Sequence, residues 1–175
     1  MVSINPATQS YDFRQMYNFS DIRSNCEKVI YPANSLMDII DSNEDFSIFC
    51  KLVKKTKYDS KLSSNQSNFT LFVPSDFYLK QKYNLNFLNN IDIGLAHQIL
   101  NFSTMNRILD KKLLQSSPTS LYPVVDRSLI TISTVSDITM IENEIKIIHW
   151  NKFASNGIIH VIDNILIPKN SFNYS

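Results

Sequence analysis

Residues 154–168 read ASNGIIHVIDNILIP and contain His160, one of three histidines, three residues before Asp163. The β-branched run Ile158, Ile159, Val161, Ile162 marks a strand. Side chains along a strand alternate, so Ile158, His160 and Ile162 share one face while Ile159, Val161 and Asp163 share the other. The histidine and the acid therefore point apart, and the pair reads as architecture. Asn156-Gly157 just upstream reads as a tight turn between strands, with both residues tolerating positive φ. Trp150, before that turn, reads as a core or edge anchor.

Working outward, residues 119–168 hold the short runs SLYPVV, LITIST, DITMI, EIKIIHW and GIIHVIDNILI, all dense in Ile, Val, Thr and aromatics. The C-terminal third is thus β-rich. The preceding residues are mostly helical in period. Ser35 opens a capping-box pattern with Asp38, predicting a helix through Leu36, Ile39 and Ile40. After the turn Asp41-Ser42-Asn43, the spacing of Phe46, Phe49, Cys50 and Val53 predicts a second helix. FTLFV at 69–73 reads as a strand closed by Pro74, with Ser75 as N-cap of a following helix and Asp76 in its first turn. DIGLAHQILNF at 92–102 places Ile93, Ala96, Ile99 and Leu100 on one helical face, with His97 near its edge. An extended piece around Arg107 to Leu109 precedes a small helix capped by Asp110. Helices first and strands later is the order of an α+β fold.

Length and composition agree with one soluble domain: 175 residues, 43% apolar and 19% charged. Residues 1–34 show no clean period and read as an N-terminal arm with Tyr11, Phe13, Met16, Tyr17 and Phe19 as anchors. Residues 169–175 read as a tail. Seventeen basic residues against sixteen acids give a formal charge of +1, and the runs Lys54, Lys55, Lys57 and Lys111, Lys112 lack interleaved aromatics. Nucleic acid is not an expected partner. MVSINPATQSYDFRQMYNF has no basic segment followed by an apolar one, and no run reaches the roughly 18 apolar residues of a membrane span. The expected location is cytoplasmic or virion-associated, and extracellular only through processing or another export route. Abundant Asn, Ile, Lys and Ser point to AT-rich coding, as in protists or large DNA viruses. The same abundance accounts for the sequons at Asn18, Asn65, Asn68, Asn101 and Asn173, which matter only in a secreted chain.

Chemistry is sparse. Cys26 and Cys50 form no CxxC pair and join no metal-spaced cluster, and Cys50 has the spacing of a buried thiol. No G-x-S-x-G elbow accompanies His97, His149 or His160. The two glycines, Gly94 and Gly157, cannot make a phosphate loop. Glu142 and Glu144 read as solvated. No catalytic, metal or cofactor set emerges, and the chain is not expected to be an enzyme.

TLFVPSDFYL (70–79) and ASNGIIHVIDNILIP (154–168) together resemble the two signature segments of the fasciclin-like domain family, and SLMDIIDSNEDFSIFCKLV resembles its opening helix pair. The resemblance runs from about Ser35 to Pro168. It assigns Phe72, Pro74, Ser75 and Asp76 to the first signature and Asn156, Gly157, His160, Val161, Asp163 and Pro168 to the second. Leu79 stands where an aromatic is common. Phe102 and Ser103 stand where the family usually has the Tyr-His pair linked to adhesion receptors, a departure that bears against that adhesion mode. The resemblance implies a single compact α+β domain, N-terminal helices packed on a β-rich wedge. It implies a non-enzymatic interaction or adhesion module, virion-associated or host-contacting if viral. The alternative it allows is a carrier of an apolar small molecule such as a lipid or pigment. The protein partner and oligomeric state are not specified by it.

Overall fold

The computed structural model describes residues 29–168; the aromatic anchors expected at 11–19, Cys26, the sequons at Asn18 and Asn173, and the tail lie outside them. The fold is α+β, with N-terminal helices and a seven-stranded mixed sheet. Its helices are α1 (Leu36–Ser42), α2 (Ser47–Lys55), α3 (Asp59–Ser63), α4 (Asp76–Lys82), α5 (Leu85–Asn89), α6 (Ile93–Phe102) and α7 (Lys111–Leu114), with a 3-10 turn Glu44–Phe46 leading into α2. The strands are β1 (Phe69–Pro74), β2 (Thr104–Met105), β3 (Thr119–Pro123), β4 (Leu129–Val135), β5 (Ile138–Ile141), β6 (Ile145–Ala154) and β7 (Gly157–Ile162), in spatial order β2-β1-β7-β6-β5-β4-β3.

β1 and β7 are the parallel pair, in register from Phe69 opposite Gly157 to Pro74 opposite Ile162. Both are buried along their whole length, as parallel strands covered on both faces must be. The two faces feed different cores. Phe69, Leu71, Val73, Ile159 and Val161 pack with Leu36, Met37, Phe49 and Val53 of α1 and α2. Phe72 and Ile162 turn the other way, toward Met105, Leu109, Leu114 and the inner residues Ile130, Ile132 and Ile141 of β4 and β5. Each fully buried Leu, Ile or Phe stabilises the fold by about 2 kcal/mol relative to exposure, so this packing is the main stabilising term.

Local expectations hold for most elements. Ser35 Oγ accepts the Asp38 amide at 3.1 Å, while Asp38 Oδ2 accepts from Asn34 N at 2.8 Å, one residue before the usual box position. Asp92 and Asp110 cap α6 and α7 through Leu95 N and Leu113 N. Phe46, Phe49, Cys50 and Val53 are all buried. Two details differ. Ile93 is more than half exposed, because α6 turns its first residue outward, and Phe102 takes its place at the buried end. The strand after α6 is Thr104–Met105, ahead of the expected 107–109 segment, because Phe72 N bonds Ser103 O directly and draws the chain onto β1 just past the helix.

Candidate functional site

Asn156 occupies the β6–β7 turn, 1% exposed. Its Oδ1 accepts the Leu36 amide at 2.8 Å, an orphan donor at the start of α1. Its Nδ2 donates to Leu62 O and Ser64 O, at 2.9 and 2.8 Å. Its carbonyl accepts from Phe69 N, and next door Ser155 N donates to Asn34 O. One amide side chain thus ties α1, the end of α3 and the start of β1 to the turn.

Gly157 follows, and the expected positive φ is not there: neither Asn156 nor Gly157 adopts it. The glycine is required by close approach instead. A Cβ at 157 would lie 2.3 Å from the Phe69 carbonyl oxygen and 2.8 Å from Leu36 Cδ1. The positive-φ positions of the sheet are non-glycine: Arg127 between β3 and β4, Ser136 and Asp137 between β4 and β5, Glu142 and Asn143 between β5 and β6, and Asn151 inside β6.

His160 is fully buried on β7, opposite Phe72 of β1. Its Nδ1 accepts the Asn151 amide at 3.1 Å and its Nε2 lies 2.7 Å from Leu109 O. A backbone N–H on one nitrogen and a carbonyl on the other require the neutral Nε2–H tautomer. Burial holds its pKa below the ordinary histidine value, against the opposing pull of the Leu109 carbonyl and of Asp110. Trp150 meets the imidazole edge-on with centroids 5.0 Å apart, and Phe72 lies at 5.8 Å. The Asn151 amide reaches the ring because β6 slips register between His149 and Lys152, and Asn151 Oδ1 then accepts from Lys111 N of α7. From β1, Thr70 Oγ1 donates to Arg107 O and accepts from Leu109 N. Thr70 and His160 together clamp the 107–109 segment. Nε2 does this through Leu109 O while Nδ1 holds the Asn151 amide, so both imidazole nitrogens are engaged with backbone.

The strand-to-helix corner of β1 and α4 contains a second polar joint. Ser75 was expected to cap α4 with its own hydroxyl, but that hydroxyl donates to Asp45 Oδ2, and Asp45 Oδ1 accepts the Phe77 amide at 3.1 Å. In return Asp76 accepts from Ser47 N, Ser47 Oγ and Ile48 N at the start of α2. Each helix is capped by a carboxylate belonging to the other's N-terminal region. Asp76, 4% exposed, is therefore committed to structure. Pro74 ends β1 beside Ile162.

The remaining signature positions are likewise engaged. Asp163 Oδ1 accepts from Lys146 N at 3.0 Å, bracing β6 against the end of β7, with Lys82 Nζ 3.9 Å from its other oxygen. His160 and Asp163 are not paired. Pro168 is half-buried at the end of the described residues. Phe102 is 7% exposed and Ser103 is fully buried, its hydroxyl donating to Ile99 O; both face the interior. Leu79 is fully buried. Cys50 is a free buried thiol whose pKa burial pushes up to about 11, the reverse of nucleophile activation. His97 and His149 are exposed. Among the described residues no group of three or more His, Cys, Asp or Glu could hold a metal ion, and no helix is long and apolar enough to cross a membrane.

Two features of the surface bear on binding. A groove of about 450 Å³ lies between the 3-10 turn and the irregular part of β6, lined by Asn43, Asp45, Phe46, His149, Trp150, Lys152 and Val161. The second is the outer face of the β3–β5 meander. Register places Leu121 opposite Thr131, Pro123 opposite Leu129, Ser133 opposite Met140 and Val135 opposite Ile138. Leu121, Leu129, Val135 and Ile138 are 60%, 55%, 72% and 45% exposed. Their alternation partners Ile130, Ile132 and Ile141 are buried in the second core. The face ends in a hollow of about 350 Å³ lined by Ser133, Val135, Ser136, Ile138, Met140 and Asn143. In the sequence these residues read only as strand formers; the signal for an exposed face is apolar residues on both alternating faces of LITIST and DITMI.

The fasciclin domain family model matches residues 44–168. Stabilin-2 of Rattus norvegicus is 34% identical over 80 residues, 44% of this chain and 5% of that protein. A FAS1 domain pair from the insect cell adhesion molecule Fasciclin I superposes with a TM-score of 0.66 at 24% identity, over 79% of this chain and 52% of that one. The chain thus spans about half of the matched structure and a small fraction of stabilin-2.

Proposed function

The chain belongs to the fasciclin domain family, and on that premise we propose that it is a non-enzymatic, adhesion-type interaction module acting outside the cell, where fasciclin homologues usually are, and reaching it by processing or another export route. Fasciclin domains are typically adhesion or interaction modules, generally without catalysis. The observation that carries the reading is how side chains are allotted. The polar residues best suited to chemistry, His160 and Asp76, are spent on internal hydrogen bonds, while large apolar side chains stand exposed together on the β3–β5 face. An exposed apolar patch of this kind is a contact surface more often than a reactive one. On this reading residues 35–168 form the module, with 1–34 and 169–175 as appendages, and the signature residues Phe72, Pro74, Ser75, Asp76, Asn156, Gly157, His160, Asp163 and Pro168 are fold determinants. A virion-associated or host-contact setting is one form the reading takes.

The test is attachment of cells or matrix preparations to immobilised full-length protein, alongside the Val135→Lys/Ile138→Lys double variant. Attachment that the variant loses supports the module reading. Attachment to neither, with the native protein confined inside cells, overturns it. The carrier reading draws on the 450 Å³ groove, but Asn43, Asp45, His149 and Lys152 in its wall suit a polar occupant better than a lipid or pigment. Native mass spectrometry showing no bound molecule removes it.

A further inference from the structure

We propose that the loop between α3 and β1 accepts an N-linked oligosaccharide, at Asn65 or Asn68, when the chain is exported. The proposal rests on the extracellular reading above and adds to it a modification site and its chemistry. Three sequons fall within the described residues, Asn65-Gln-Ser, Asn68-Phe-Thr and Asn101-Phe-Ser, and the fold sorts them. Asn65 and Asn68 are exposed. They sit in the polar stretch that leaves α3 and enters β1, and Phe69 beside them is the first buried residue of the strand. A bulky, hydrated substituent there meets solvent. Asn101 is different. It is half-buried in the last turn of α6, and its Oδ1 faces the Tyr58 hydroxyl at 3.5 Å. A glycan at Asn101 would have to displace Tyr58, itself a member of the first core.

The position also suits an adhesion module. The loop is held to the β6–β7 turn through Asn156 Nδ2 and Ser64 O, at the Ala154 end of β6. The β3–β5 meander joins β6 at its other end, through Ile145 and Lys146, roughly 20–25 Å away along the strand. Sugar on the loop therefore leaves the exposed apolar face open.

In the transfer, the side-chain amide nitrogen bonds to the anomeric carbon of a lipid-diphosphate-linked oligosaccharide. The sugar–phosphate C–O bond breaks, the lipid diphosphate departs with its electron pair, and the amide loses one proton to the transferase. No redox change occurs.

The experiment expresses the full chain behind a cleavable secretion leader in eukaryotic cells. Glycans are then released enzymatically in heavy-oxygen water, and the isotope tag is mapped by peptide mass spectrometry in both medium and cell fractions. The expected result is a tag at Asn65 or Asn68, none at Asn101 in secreted protein, and a smaller gel shift in Asn65→Gln/Asn68→Gln. Bare Asn65 and Asn68, or a tag confined to Asn101, overturns the proposal. Locating the native protein tests the extracellular reading separately, because leader-directed export measures acceptor competence whatever the native location.

Discussion

The β1–β7 pair and the β3–β5 meander draw on the same apolar residue types but use their polar residues and turns in opposite ways. In the pair, every position is buried, and Thr70, Asn156 and His160 each satisfy backbone groups that would otherwise be orphaned in the interior. In the meander, one face is buried and the other leaves Leu121, Leu129, Val135 and Ile138 in solvent. Its turns run through left-handed Arg127, Ser136 and Asp137, and its exit to β6 through left-handed Glu142 and Asn143, a conformation that costs non-glycine residues about 1 kcal/mol or more each. The pair is where the fold is fixed. The meander tolerates strain and exposure, and so is free to serve a partner.

The largest expected effect is at Gly157. Gly157→Ala drives a methyl group into the Phe69 carbonyl, an atom of the β1 backbone that cannot swing aside, and is expected to cost about 3 kcal/mol in urea unfolding. An unchanged midpoint would show that β1 and β7 do not approach so closely. Asn156→Ala strands the Leu36 amide and two carbonyls and is expected to lose about 2 kcal/mol. Asn156→Asp retains the acceptor for Leu36 but sets a buried carboxylate oxygen against the Leu62 and Ser64 carbonyls, and should cost at least as much as Asn156→Ala.

His160 makes the comparison depend on pH. Its folded pKa is lowered by burial, and the unfolded value is about 6.5, so below that pH the unfolded chain binds more protons than the folded one. The contribution to stability is complete above about pH 6.5 and is lost as pH falls from there toward the folded pKa. Thermal melts of parent and His160→Gln, followed from neutral pH into acid, should show a drop in the parent that the variant lacks. Parallel slopes would refute the neutral buried imidazole.

Changes in the meander should be smaller. Asp137→Gly relieves a φ of 70° and is expected to raise stability by about 0.5–1 kcal/mol. Val135→Lys/Ile138→Lys replaces exposed side chains and should shift the melt by no more than about 0.5 kcal/mol, while removing attachment. A large loss of stability would place those residues in the core.

The order of elements and the two faces of β7 were legible in the chain because both follow from local periodicity. The separation of His160 from Asp163 needed only strand alternation. What was not legible depends on contacts between distant residues. Asp45 and Asp76 cap each other's helices across about thirty positions, so the local cap rule chose Ser75 instead. The role of Gly157 is set by Phe69 and Leu36, not by its own turn, and nothing nearby in the sequence announces the register slip that brings Asn151 to His160.

The most direct measurement is native-state hydrogen exchange at the Leu36 and Asn151 amides, whose acceptors are side-chain atoms of Asn156 and His160. If these residues hold the fold, both amides exchange only through global unfolding, with the protection of the β1–β7 ladder. Exchange at the rate of an open loop at either position would contradict it.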